Sequence, residues 1–172
     1  MAPKFPLQQG TLDDLCSVYA IINFLHLESD GEIDFERGAK IFQKGIKAVA
    51  KYEVATKGKM GTLKGLVAQG NDPENFVWLY GKMGETRHGL EHKKTVSAAN
   101  MPALVYFEVN PSPIKDFTHY SVVRSVNKDG DMVLFDSYGF SNIMYINQKY
   151  FLLHDDGSRG EVVIHDVWTN SK

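Results

Sequence analysis

Apolar residues recur at helical spacing through the first part of the chain and in alternating, strand-like runs toward its end. Val18, Ile21, Ile22 and Leu25 fall at i, i+3, i+4 and i+7, one face of a helix. Asp13 or Asp14 just upstream is the residue type that caps such a helix. Glu28-Ser29-Asp30-Gly31 reads as a turn, and Phe35, Ala39, Phe42, Ile46 and Val49 mark a second helix over 34–51. Lys40, Lys44, Lys47 and Lys51 line its other face, as expected of a solvated helix surface. Gly58 and Gly61 make a turn, and Thr62 caps a short helix over 63–69. The run 75–80 fits a strand or a buried turn of helix equally well, because short apolar runs do not separate the two.

After Pro102 the period changes. The runs 103–109, 120–126, 132–136 and 161–168 are rich in Val, Ile, Phe and Tyr, and Asn127-Lys128-Asp129-Gly130 is a hairpin turn, so an antiparallel sheet is predicted. A short helix is expected over 147–154, ended by Asp155-Asp156-Gly157. Helices gathered first and strands last read as an α+β fold, with N-terminal helices packed on a C-terminal antiparallel sheet. With no internal repeat or linker in sight, 1–172 is expected to be a single domain.

The 172 residues are 43% hydrophobic and 23% charged with a formal net charge of -2, an ordinary globular composition. Lys and Arg never run beyond pairs, so neither nucleic acid nor a membrane surface is an expected partner. The start, Met1-Ala2-Pro3-Lys4-Phe5-Pro6, has no apolar signal-peptide core, and no apolar run approaches the length of a membrane span. A cytoplasmic location is the expectation. The one cysteine cannot form an internal disulfide, which suits a reducing compartment.

That cysteine, Cys16, opens the first helix, where unpaired N–H groups and the positive end of the helix dipole favour an anion and hence a thiolate. Gln9, seven residues earlier, is an amide donor able to serve an oxyanion formed there. A lone cysteine on an amphipathic helix also fits plain core packing, and Asp13 and Asp14 oppose a thiolate unless a cation offsets them. Two residues supply the missing partners: His119 at the start of one strand and Asp136 at the end of the next. Their distances from the hairpin turn differ by five residues, so a diagonal position, strand stagger or bulge has to bring them together. His88-Gly89-Leu90-Glu91-His92 formally matches a zinc pattern that needs a regular helix, which Gly84 and Gly89 weaken; no metal is expected.

Gln-Gly before a Cys-led helix, a distant His-Tyr-x-Val-Val strand and a Phe-Asp-Ser-Tyr-Gly strand end together resemble the papain-like cysteine peptidases, above all their compact double-glycine (C39-type) branch. The resemblance implies a papain-like α+β fold. It makes Cys16 the nucleophile, His119 the general base and acid, Asp136 the orienter of the imidazole and Gln9 the oxyanion donor. The family commonly places this Gln about one residue nearer the Cys than Gln9 stands, so the choice between Gln8 and Gln9 stays open, and Ser17 stands where a Gly often follows the Cys. No cofactor is implied. A protein or peptide substrate cut after Gly-Gly is, with Tyr19, Phe117 and Tyr120 flanking the scissile bond. Freestanding domains of this kind are similar to effector toxins delivered by bacterial secretion systems and blocked by a cognate immunity or inhibitor protein. Deamidation or transglutamination on the same triad, and a non-catalytic binding module, are the other readings.

Overall fold

A computed structural model describes residues 5–8, 15–56, 73–84, 89–111, 117–154 and 157–171. Among the described residues three α-helices come first: α1 (Cys16–Glu28), α2 (Phe35–Thr56) and α3 (Pro73–Met83). Seven strands follow: β1 (Leu90–Lys93), β2 (Ala103–Asn110), β3 (Thr118–Val126), β4 (Met132–Leu134), β5 (Asn142–Ile146), β6 (Lys149–Leu153) and β7 (Arg159–Asn170). The open run 75–80 resolves as helix, inside α3. The Lys40, Lys44, Lys47 and Lys51 face of α2 is exposed. The helix expected over 63–69 lies outside the described residues.

All strand pairings are antiparallel, and the sheet does not stay open. Strands β2 to β6 follow in order, β7 pairs with β2 on one side, and β6 pairs with β7 to complete a six-stranded ring. The expected papain-like arrangement of helices on a sheet is therefore corrected to a closed antiparallel β-barrel on which α1, α2 and α3 pack, with β1 as an extra strand on the far end of β7. Closure depends on β7, whose Arg159–Val162 end meets β6 while Glu161 to Trp168 run along β2. A register shift opposite Tyr106 and Phe107 sharpens its curl. At the seam Gly160 is indispensable: a Cβ there would lie 2.3 Å from Val109 Cγ1 and 2.9 Å from the Pro111 carbonyl oxygen.

The segment 147–154 is also corrected, from helix to hairpin. Asn147 and Gln148 take positive φ of 49° and 64° between β5 and β6, the backbone of a two-residue turn that matches strand twist.

Strand alternation sorts the apolar side chains into two cores. Ala103, Val105, Phe107 and Val109 of β2, with Val123, Met132, Ile143, Leu152 and Val162, fill the barrel. Leu104, Tyr120, Val122 and Trp168 face outward and meet Ile21, Ile22, Phe24, Phe76 and Leu79 of the helices. Because both faces of β2 and β3 are covered, these strands are buried nearly throughout. Among the described residues no helix is long and apolar enough to cross a membrane.

Candidate active site

Cys16 is the first residue of α1, whose N-cap is Leu15 rather than an aspartate. The Leu15 carbonyl accepts the N–H groups of Val18 (2.9 Å) and Tyr19 (3.1 Å), which starts the helix without a side-chain cap. Asp13 and Asp14, expected as caps, lie outside the described residues, as does Gln9. Gln8 is described and exposed. Packing of α1 along β3 sets the cysteine against the barrel.

His119 is the second residue of β3 and the cross-strand partner of Phe107, so it shares the inward face and stands at the end of the barrel interior. The register that brings Asp136 to it has three parts. Val126 pairs with Met132, which centres the hairpin on Asp129 rather than Gly130. A bulge between Val123 and Ser125 then advances the pairing by one residue. Finally, the Phe135 N–H donates to the Val122 carbonyl (2.8 Å), which sets Asp136 opposite Ser121 and diagonal to His119 on the same face.

The result is a buried line of three groups. His119 Nε2 and Asp136 Oδ1 are 2.7 Å apart, both residues are 2% exposed, and Cys16, 7% exposed, is a hydrogen-bond partner of the same imidazole. With Nε2 engaged by the carboxylate, Nδ1 is the nitrogen left for the sulfur. The second oxygen, Oδ2, accepts the N–H groups of Tyr138 (2.7 Å) and Phe140 (3.2 Å), folding 136–140 into a tight turn. Gly139 at φ 98° completes that turn.

Aromatic rings close around the imidazole. Phe117 stacks on it at 5.8 Å, and Phe107, Phe140 and Tyr138 approach at 5.6, 5.7 and 6.0 Å in edge geometry. Tyr138 is 48% exposed and forms the lip of the site. Tyr138 and Phe140 are site residues that the sequence reading misses; the Asp-Ser-Tyr-Gly turn that carries them is the available signal.

The three expected substrate-flanking residues part company. Phe117 is at the site. Tyr120 is not: it lies on the opposite face of β3, buried between Phe76 (4.4 Å) and Tyr106 (4.6 Å), because adjacent strand residues point to opposite sides. Tyr19 is half-buried on α1 with its ring 5.5 Å from Phe42 of α2. Within the segment that formally matches the zinc pattern, Leu90–Lys93 is a strand and His92 bonds Asp166 at 2.9 Å; His88 lies outside the described residues. Among the described residues no group of three or more His, Cys, Asp or Glu could hold a metal.

Burial disfavours a proton on His119, but the charge and hydrogen bond of Asp136, helped by Cys16, outweigh it and raise its pKa from 6.5 to about 10. Burial likewise opposes charge on Asp136, yet the charge and hydrogen bond of His119, with the Ser121 hydroxyl and the Tyr138 N–H, hold its carboxyl below the ordinary carboxylate range. Both shifts favour the charged pair, an imidazolium beside a carboxylate. The raised His119 contributes stability in full below pH 6.5, and that contribution is lost as pH rises through about 10. The lowered Asp136 contributes in full above 3.8 and loses its share as pH falls through its depressed value. Urea midpoints should therefore fall between about pH 6.5 and 10 in the wild type, and this fall should flatten in His119→Gln; equal slopes in the two proteins would refute the ion pair.

Comparison with known protein families finds no family whose sequence model matches this chain, and comparison with curated proteins finds no match either.

Proposed function

We propose that the protein is a cysteine peptidase that acts through Cys16, His119 and Asp136. One observation carries this reading: a free cysteine, a buried imidazolium and a buried carboxylate meet in a single line although they come from three separate segments. A packing cysteine has no need of such partners, whereas an activated nucleophile does. The reading rests on this constellation, not on the fold, since the same chemistry recurs on unrelated architectures.

In this mechanism His119 holds the proton as imidazolium and the sulfur attacks the scissile carbonyl carbon as thiolate. The Cys16 backbone N–H and the side chain of Gln9 or Gln8 stabilise the oxyanion. As the C–N bond breaks, His119 gives its proton from Nδ1 to the leaving amine. The imidazole then takes a proton from water, which attacks the thioester carbon; the C–S bond breaks and the imidazolium–thiolate pair is restored. Asp136 holds Nε2–H throughout and stays ionised. A free thiol in this role suits a reducing compartment, in keeping with a cytoplasmic site of action.

Enclosure of His119 by Phe117, Tyr138 and Phe140 supports a narrow cleft, which suits the cleavage after Gly-Gly that the resemblance to the double-glycine peptidases implies. Replacing Gly-Gly by Ala-Ala before the bond should lower kcat/KM by about 10-fold to 200-fold, the discrimination typical of a misfitting methyl group. Near-equal kcat/KM on the paired peptides would remove the narrow cleft and leave the triad untouched. The activity itself is tested by labelling new peptide N-termini in a cell lysate treated with the wild type or with Cys16→Ala. Termini specific to the wild type are expected, and identical profiles would reject the peptidase.

A further inference from the structure

Of the four aromatic rings described around His119, Tyr138 alone stands open to solvent. Phe107 is fully buried in the barrel, Phe117 and Phe140 are half-buried, and Tyr138 is 48% exposed. Single exposed rings are common on protein surfaces and need no explanation. This one is held in place. Its backbone N–H donates to Asp136 Oδ2 at 2.7 Å, and its ring lies 5.3 Å from Phe140, 6.1 Å from Phe117 and 6.0 Å from the imidazole. A ring packed on three neighbours yet half open is a contact surface prepared in advance, because little freedom remains to be lost when a ligand settles on it.

The peptidase mechanism fixes which part of a substrate comes there. His119 gives its proton from Nδ1 to the leaving amine, which brings that nitrogen within about 3 Å of the imidazole. The side chain of the residue after the scissile bond begins two covalent bonds beyond the nitrogen, about 2.5 Å away. It therefore starts among the rings that surround the imidazole at 5.6 to 6.0 Å. The residues before the bond are held on the sulfur instead, at the start of α1.

We propose that Tyr138 is a specificity-determining residue: its open ring, flanked by Phe117 and Phe140, forms the subsite for the residue that follows the scissile bond and selects a large apolar or aromatic side chain there. The assignment rests on the peptidase reading and adds to it the residue class on the leaving side. An apolar side chain covers the ring and leaves water, an aromatic one gains further from ring contact, and glycine gains neither. A charged side chain loses hydration there with no counter-charge supplied by Phe117, Tyr138 or Phe140.

New peptide N-termini in a treated lysate read this residue directly, because the first residue of each terminus is the one that followed the bond. Termini made by the wild type and absent with Cys16→Ala should begin with Leu, Met, Phe or Tyr well above the frequency of these residues in the lysate. On two peptides built on the most frequent cleavage sequence, with Phe or Gly after the bond, the wild type should favour Phe by about 10-fold to 100-fold in kcat/KM. Tyr138→Ala should bring that ratio to within about 3-fold of unity, and Tyr138→Lys should turn the preference toward Asp and Glu. Both changes keep the backbone N–H that Asp136 accepts and alter a side chain already half in water, so the fold is expected to hold. Wild-type termini with no first-position preference, or a preference that survives loss of the ring in either variant, would overturn the subsite and leave the peptidase reading standing. Equal losses on both peptides, with the pH profile of Cys16 alkylation by iodoacetamide displaced, would do the same, by making the ring only a shield of the ion pair. Identical termini from the wild type and Cys16→Ala would overturn the peptidase reading and the subsite with it.

Discussion

Cys16→Ala is expected to abolish peptidase turnover while the protein stays folded. Cys16 is the single thiol of the chain, and the neighbouring hydroxyls of Ser17, Ser121 and Ser137 are all buried, which leaves none of them placed to take the acyl group instead. The structural cost is small, because Cys16 stands at the edge of the helix–barrel core and the change removes one heavy atom, on the order of 1 kcal/mol. His119 also keeps Asp136 as its counter-charge. Cys16→Ser should be nearly as inactive, since a hydroxyl is far less readily ionised than a thiol. Steady-state rates alongside urea titrations check both halves. Unfolding of Cys16→Ala, with a wild type inert toward peptides and iodoacetamide alike, would return Cys16 to the role of a packing residue.

The second large effect is expected at Asp136, where the amide variant should fail almost as badly as the truncated one. A carboxylate is required because both of its oxygens accept: Oδ1 takes the His119 Nε2–H, and Oδ2 takes the Tyr138 and Phe140 N–H groups. An asparagine has a single acceptor oxygen. Whichever way it turns, its NH₂ faces either the imidazole N–H or two backbone N–H groups, so one set of buried donors is left without an acceptor. Asp136→Asn should thus lower kcat/KM by roughly 10³ to 10⁴, the scale seen when the carboxylate of a triad becomes an amide. Loss of the counter-charge under a buried imidazolium should also cost about 3 to 5 kcal/mol of stability unless the ring gives up its proton. The alkaline limb of kcat/KM should then move from about 10 toward the ordinary imidazole range. A wild-type rate and profile in Asp136→Asn would show that hydrogen-bond acceptance alone, without charge, is enough.

Much of the site is legible in the chain itself, because the chemistry of a residue travels with its identity. Cys16 is the single cysteine, and the His-Tyr-x-Val-Val and Phe-Asp-Ser-Tyr-Gly segments put an imidazole and a carboxylate at the ends of consecutive strands. The gap between His119 and Asp136 along the hairpin demands a bulge or a diagonal, and both are present. Which face of β3 meets which layer is a different matter. His119 and Tyr120 are adjacent and similar in size, yet one completes the site and the other is core, because strand alternation separates neighbours only once the barrel defines an inside.

The fold divides along the same line. Helical spacing is a local property, so Val18 to Leu25 and Phe35 to Val49 announce α1 and α2 from the chain alone. Closure of the barrel is not local. It depends on β6 finding β7, on a bulge between Tyr106 and Phe107, and on Gly160 leaving space for Val109 where the ring joins. Residues 147–154, expected as a helix, join a hairpin instead, because Asn147 and Gln148 take positive φ in a turn held by the pairing of Tyr145 with Tyr150. The groups of the proposed triad and their order along the chain are thus properties of the amino-acid sequence. That the sheet closes and that Asp136 reaches His119 belong to the folded molecule, because a strand's partner is chosen by long-range pairing that no local period encodes.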